Sequence, residues 1–208
     1  MVAVSSNWLA LKASGLNLKK PAIRKGARSG PQSSKRAMIE LNQKYVALDC
    51  EMVEGESVEH MLARVSVVDY EGRVLYDAYV KPREEVIDYR TSITGITKEL
   101  LHRKGELFNS VRSRVRELLK DKIIVGHAVH HDFEALDLTP PENTMLRDTC
   151  SYSALRPPNR KQTPSLRLLA EYWLDKVVQA GSHSSIEDAR TAMLLFKRFQ
   201  DQWESTLA

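Results

Sequence analysis

The chain has 208 residues, 42% hydrophobic and 28% charged, with 31 Lys and Arg against 27 Asp and Glu. These are the fractions of an ordinary globular protein. No run approaches the ~18 apolar residues of a membrane span, the N-terminus lacks an apolar signal core, and two cysteines are too few for a disulfide framework, so no membrane partner and a reducing compartment are expected. The basic balance is uneven. Residues 1–40 hold eight Lys and Arg against Glu40 alone, a charge of +7, and the remainder carries −3.

Residues 1–40 therefore read as a basic, disordered tail, in which residues 12–38 are rich in Lys, Arg, Ser, Gly and Pro and have too little apolar surface to offset their ordering entropy. Lys19-Lys20, Arg24-Lys25 and Lys35-Arg36 suit a nuclear or nucleolar address or a phosphate tether, with a solvated linker and a cytoplasmic location as the alternatives. Trp8, Leu9 and Leu11 are unusual in such a tail.

Residues 41–208 read as a single domain. Tyr45–Cys50 is a short apolar run ending among acids, as a buried strand would be. Residues 62–70 and 73–81 are β-rich on either side of Glu71-Gly72, which predicts a hairpin. Residues 108–120 place Val111, Val115, Leu118 and Leu119 at helical spacing. A second buried strand is expected over 122–126, a brief helix over 132–138 and an edge strand over 145–148. Two helices are predicted over 165–174 and 185–204. The second carries Ile186, Ala189, Met193, Phe196, Phe199 and Trp203 as an apolar stripe. Strands led by a hairpin and then alternating with helices make an α/β fold.

The acids carry the chemistry. Asp49 and Glu51 flank Cys50, so strand alternation puts both carboxylates on one face and the thiol on the other. Two adjacent carboxylates repel unless a cation lies between them, and an oxygen set suits Mg²⁺ or Mn²⁺. Asp132 follows the strand ending at Gly126, and functional groups in open α/β sheets gather beyond the carboxyl ends of strands. Ser184 and Glu187 fit a capping box opening a helix, with His183 just before it and Asp188 in its first turn. Asp132 in a helical first turn also has a purely structural reading, since a carboxylate there complements the helix dipole.

Four carboxylates and one histidine thus stand in the order D-x-E, D, H-x₄-D. Together with Asp49-Cys50-Glu51-Met52-Val53, Asp88-Tyr89-Arg90-Thr91, Gly126-His127-Ala128, Arg147-Asp148-Thr149 and His183-Ser184-Ser185, this resembles the DEDDh exonucleases. The wording is closest to the RNA exonuclease 4, interferon-stimulated exonuclease and apoptosis-enhancing nuclease group. The resemblance runs over about residues 44–204. Two departures are Thr94 before Gly95-Ile96, where the group usually has Ser, and His131 before Asp132, where Asn or Asp is common.

The resemblance implies a ribonuclease H-like α/β fold with a mixed five-stranded sheet flanked by helices. It implies 3′→5′ hydrolysis of single-stranded nucleic acid, RNA first, to 5′-mononucleotides with two divalent cations, Mg²⁺ or Mn²⁺. Asp49 would be shared by both cations, Glu51 and Asp188 would complete one and Asp132 would hold the other. His183 would be the general base, a role suited to a side chain that titrates near neutrality. Met52, Val53 and Arg90 would meet the terminal nucleotide, with an Arg90 ion pair to Asp88 or Glu85 as the structural alternative for that side chain.

Asp148 is expected to hold a loop near the site and not to bind metal. His127, His130, His131 and Cys150 lack the paired C-x₂-C of a structural zinc site, and His127 is expected to be a satisfied near-core residue. The alternatives in function are a DNA exonuclease of repair or apoptosis and a non-catalytic nucleic-acid-binding module. The second is disfavoured by the presence of all five catalytic positions. Residues 155–163 form a Pro-rich basic segment that suits either a substrate contact or a solvated connection. Ribosomal-RNA maturation, antiviral degradation and DNA turnover use the same chemistry, and the residues do not choose among them.

Overall fold

The computed structural model describes residue 40, residues 42–158 and residues 162–207. The basic tail before Glu40, with Trp8, Leu9 and Leu11, lies outside the described residues, as does the centre of the 155–163 segment. The domain is a mixed sheet with helices on both faces. Its strands are β1 (Tyr45–Gly55), β2 (Met61–Asp69), β3 (Val74–Tyr79), β4 (Val86–Asp88), β5 (Ile123–Gly126) and β6 (Leu146–Asp148). The helices are α1 (Thr91–Thr94), α2 (Lys98–Lys104), α3 (Phe108–Leu119), α4 (His130–Ala135), α5 (Leu166–Leu174) and α6 (Ser185–Ser205).

The main sheet has the expected five strands in the order β3-β2-β1-β5-β6, and the short β4 makes a sixth by pairing with the far end of β1. The β2–β3 hairpin turns through Gly72 at φ +79°, and the Asp69 carboxylate accepts from the Arg73 backbone N–H at 2.8 Å. β1 is antiparallel to β2 and parallel to β5, which is in turn parallel to β6.

Alternation along β1 divides the core. Val46, Leu48 and Cys50 pack with Phe108, Val111, Val115 and Leu119 of α3 and Phe133 of α4. Tyr45 and Ala47 pack on the other face with Leu166 and Leu169 of α5 and Ala189, Ala192, Met193, Phe196 and Trp203 of α6. Arg147 fastens β6 to the end of α6 through a bidentate pair with Glu204 at 2.8 and 2.7 Å.

β1 is longer than its apolar run suggests. It continues to Gly55, so Asp49 and Glu51 lie mid-strand and not at a strand end. β5 pairs with β1 only as far as Ala47. The two acids therefore still lie beyond the carboxyl end of the parallel neighbour, paired on their other side with Ser66 and Arg64 of β2. Gly126 closes β5 where a side chain would not fit, since a Cβ there would lie 2.9 Å from Val129 and 3.3 Å from the Leu48 carbonyl.

Candidate active site

Asp49 and Glu51 point from β1 toward the N-terminus of α6. Asp188, in the first turn of α6, meets them there, and ligand-capable oxygens of the three lie within 4.8 Å of one another. Glu51 and Asp188 are buried, at 5% and 4% exposure. Glu51 Oε1 and Asp188 Oδ1 have no hydrogen-bond partner among the described residues. Buried carboxylate oxygens without partners are costly, and a divalent cation is the group whose chemistry completes them.

The electrostatics agree. Burial, then Asp188, raises the Glu51 carboxyl to about 8, against the opposing pull of Arg64 and of the Ser185 backbone N–H. Burial raises Asp49 well above the usual carboxylate range, helped by Asp132, Asp188 and Glu51. Burial also raises Asp188, with Gln179 and His183 opposing.

Asp132 lies outside the three-carboxylate cluster. It sits in α4 on the Cys50 side of β1, buried and raised well above its usual range by burial, while the Cys50 thiol and backbone N–H donate to it. Among the neighbouring charges its effect on Asp49 is the largest, so the fourth acid lies close to the other three. α4 begins at His130, two residues earlier than expected, which puts Asp132 in its first turn.

His183 is half-buried at the mouth, with Nδ1 3.8 Å from Asp188 Oδ2. Its backbone N–H donates to the Ile93 carbonyl at 2.5 Å, which ties the histidine loop to α1. Gly95, at φ +67°, ends α1, and a Cβ there would stand only 3.3 Å from Ser182. The capping box is absent, although α6 begins at Ser185 as expected. Ser184 makes no side-chain cap, and the first helical amide, Ser185 N–H, donates to Glu51 across from it.

Asp148 has the structural role expected of it. It accepts from the backbone N–H groups of Ala128 at 2.8 Å, Val129 at 3.2 Å and Cys150 at 2.9 Å. This holds the turn that carries α4 and Asp132, including Ala128 at φ +55°. His127 is likewise satisfied. Its ring bonds Thr149 Oγ1 at 3.0 Å and the Pro164 carbonyl, and burial lowers its pKa.

The substrate-contact residues divide. Val53 is fully buried with Met61, Ala63, Ile96 and Leu101, so its side chain has no surface for a nucleotide. A β-bulge after Glu51 turns the strand at this point and leaves Met52 half-buried. Arg90 pairs with Glu54 at 3.0 Å, and not with Asp88 or Glu85. Its guanidinium also reaches the Glu59 carbonyl and His60, while Asp88 accepts from its backbone N–H at 2.7 Å.

The family model for exonucleases, RNase_T, matches residues 46–196, which contain all five of these catalytic candidates. The chain belongs to the exonuclease family. Within it, the exonuclease domain is similar to proteins named RNA exonuclease 4. Identity is 46% over 164 residues to that of Homo sapiens, covering 77% of this chain and 38% of the relative. It is 40% over 166 residues to that of Debaryomyces hansenii, covering 79% of this chain and 60% of the relative. The chain thus spans about half the length of the curated relatives it matches.

Among solved structures, the domain is similar to a Saccharomyces cerevisiae Pan2 pseudoubiquitin hydrolase-RNA exonuclease module in complex with AAGGAA RNA. That match has a TM-score of 0.68 and 30% identity, and covers 79% of this chain and 30% of that one. The Neurospora crassa Pan2 catalytic unit matches at a TM-score of 0.66 and 26% identity, over 89% of this chain and 30% of that one.

Proposed function

We propose that the domain hydrolyses single-stranded RNA from a free 3′ end to 5′-mononucleotides, using divalent cations. The observation that carries this reading is the meeting of Asp49, Glu51 and Asp188 with two buried oxygens left without partners among the described residues. Asp49, Glu51 and Asp188 would hold one cation, and Asp132, reached through Asp49, would hold a second. Bound Mg²⁺ or Mn²⁺ supplies the positive charge that a phosphodiester displacement needs at its attacking and leaving oxygens.

The chain's own residues do the rest. His183 stands at the mouth beside Asp188 and takes the proton of the attacking water. Asp188 orients the imidazole, and the Ile93 carbonyl fixes its backbone. Met52, half-buried within β1, and Arg90, paired with Glu54 near the end of that strand, are proposed to hold the terminal nucleotide. Arg90 is kept in place there by Glu54 and His60. The basic segment 1–40 is proposed as a phosphate tether and a nuclear address.

RNA is favoured as substrate by the names of the relatives and by the RNA in the Pan2 complex. The test is a time course on 5′-labelled and 3′-labelled RNA and DNA, single- and double-stranded, with Mg²⁺, Mn²⁺ or EDTA. The expected result is immediate release of a 3′ label as mononucleotide, a descending ladder from the 5′ label and no reaction in EDTA. Activity in EDTA or progression from the 5′ end would overturn the reading, and faster cleavage of DNA would replace RNA as substrate.

A further inference from the structure

Gln179 lies in the loop between α5 and α6, outside the D-x-E, D, H-x₄-D pattern. Its backbone has φ +55°, the left-handed region that disfavours every residue but glycine. Its Nε2 donates to Asp188 Oδ2 at 2.9 Å.

That bond separates the two oxygens of Asp188. Oδ2 takes the Gln179 amide and faces His183, whereas Oδ1 is buried and without a partner among the described residues. A carboxylate free to rotate would present either oxygen to the cluster. Pinned through Oδ2, it presents Oδ1. The donor is a neutral amide, so it orients the acid without adding a positive charge that competes with a cation. Partners of this kind, one bond removed from the metal, typically change metal affinity by 10–100-fold when lost.

We infer that Gln179 is a positioning residue that holds Asp188 in the orientation the cation requires. The inference rests on the metal-dependent reading above. The backbone geometry makes it separable from a role in closing the loop. Gln179→Gly relieves the left-handed conformation while removing the amide, and Gln179→Met keeps the side-chain length while removing the donor.

The experiment uses the full chain. Mn²⁺ binding is measured by calorimetry, melting is followed in EDTA, and RNA hydrolysis is titrated with Mn²⁺. Both variants are expected to bind Mn²⁺ about 10-fold more weakly and to need correspondingly more of it for half-maximal rate. At saturating Mn²⁺ they should regain a rate within about twofold of the parent, with Gln179→Gly melting no lower than the parent. Parent-like Mn²⁺ binding in both variants would overturn the inference. So would lowered melting in Gln179→Gly with unchanged Mn²⁺ binding, since that is the signature of loop closure alone. A parent chain that binds no Mn²⁺ would overturn the metal-dependent reading itself, and the role of Gln179 with it.

Discussion

Ser66 of β2 and Ser185, the first residue of α6, share a buried hydroxyl–hydroxyl hydrogen bond of 2.7 Å between positions 119 residues apart. Ser66 donates its own proton to Asp77 Oδ1 at 2.7 Å, so Ser185 is the donor of the shared bond. Asp77 in turn receives Arg64 in a bidentate pair at 2.8 and 3.0 Å. Arg64 lies opposite Glu51 in the β1–β2 register and draws its carboxyl down. One network thus docks α6 on the sheet so that the Ser185 N–H faces Glu51 and Asp188 faces Asp49. Ser66→Ala should leave the Ser185 hydroxyl buried and unpaired and lower unfolding stability by about 1–3 kcal/mol. Chemical denaturation measures this, and an unchanged midpoint would show that α6 docks without the network.

The proposed base gives the most direct kinetic test. His183→Ala removes the only imidazole that faces Asp188 among the described residues. Turnover should fall by about 10²–10⁴-fold, the usual contribution of a positioned general base. Mn²⁺ binding, carried by the carboxylates, should stay near that of the parent. Near-normal turnover at neutral pH would remove His183 from the mechanism.

Much of this site was legible in the sequence, because its parts are local patterns. Strand alternation places Asp49 and Glu51 on one face whatever the fold around them, and Asp188 follows from the start of α6. The hairpin at Gly72 and the restraining role of Asp148 were equally readable. The misses arise where a partner distant in sequence decides the outcome. Asp49 and Glu51 look like the end of a strand, yet pairing with β2 and then β4 carries β1 through to Gly55. The bulge after Glu51 and the packing of Ile96 bury Val53, which strand position alone could not reveal. Ser184 and Glu187 match a capping pattern, yet Ser184 makes no side-chain cap, and the first helical amide, Ser185 N–H, donates to Glu51 of another element. Arg90 and Gln179 are left-handed without being glycine, and residue type gives no signal of that.

Without metal, the same carboxylates should make the protein less stable as pH rises. Glu51 titrates near 4.5 when unfolded and at about 8 when folded, and Asp49, Asp132 and Asp188 are also raised. Between the unfolded and folded values the native state binds more protons than the unfolded one, so stability declines as pH increases through that interval. For Glu51 the interval is about pH 4.5 to 8. Melting temperature in EDTA should fall across it, and saturating Mg²⁺ or Mn²⁺ should remove most of the decline by pairing the ionised oxygens. A melting temperature in EDTA that rises from pH 5 to 8 would contradict this account of the carboxylate cluster.

Asp49→Asn takes the same repulsion out by mutation. Asp49 feels Asp132, Asp188 and Glu51 together, so a neutral amide there should raise the melting temperature of the metal-free protein above pH 7. It should also cost most of the stabilisation by Mg²⁺ and nearly all nuclease activity, since the residue proposed to serve both cations is lost. Stability and activity should thus move in opposite directions, as they do where a site is strained for function. Full Mg²⁺-dependent hydrolysis by Asp49→Asn would defeat the two-cation mechanism.

Asp148 provides the contrasting case, an acid beside the site that acts on the backbone. Its carboxylate receives three N–H groups from Ala128, Val129 and Cys150 and thereby fixes the turn that delivers Asp132. Asp148→Ala would leave those donors without their acceptor, and one unsatisfied buried group costs about 1–3 kcal/mol. A loss of about 3 kcal/mol is expected, with Asp148→Asn recovering part of it because one amide oxygen still accepts. Mn²⁺ affinity at the cluster of Asp49, Glu51 and Asp188 should change by less than about twofold in the asparagine variant, because Asp148 belongs to the turn and not to the ligand set. Denaturant titration alongside Mn²⁺ calorimetry measures both quantities. Preserved stability with lost metal binding would reverse the assignment and make Asp148 a ligand.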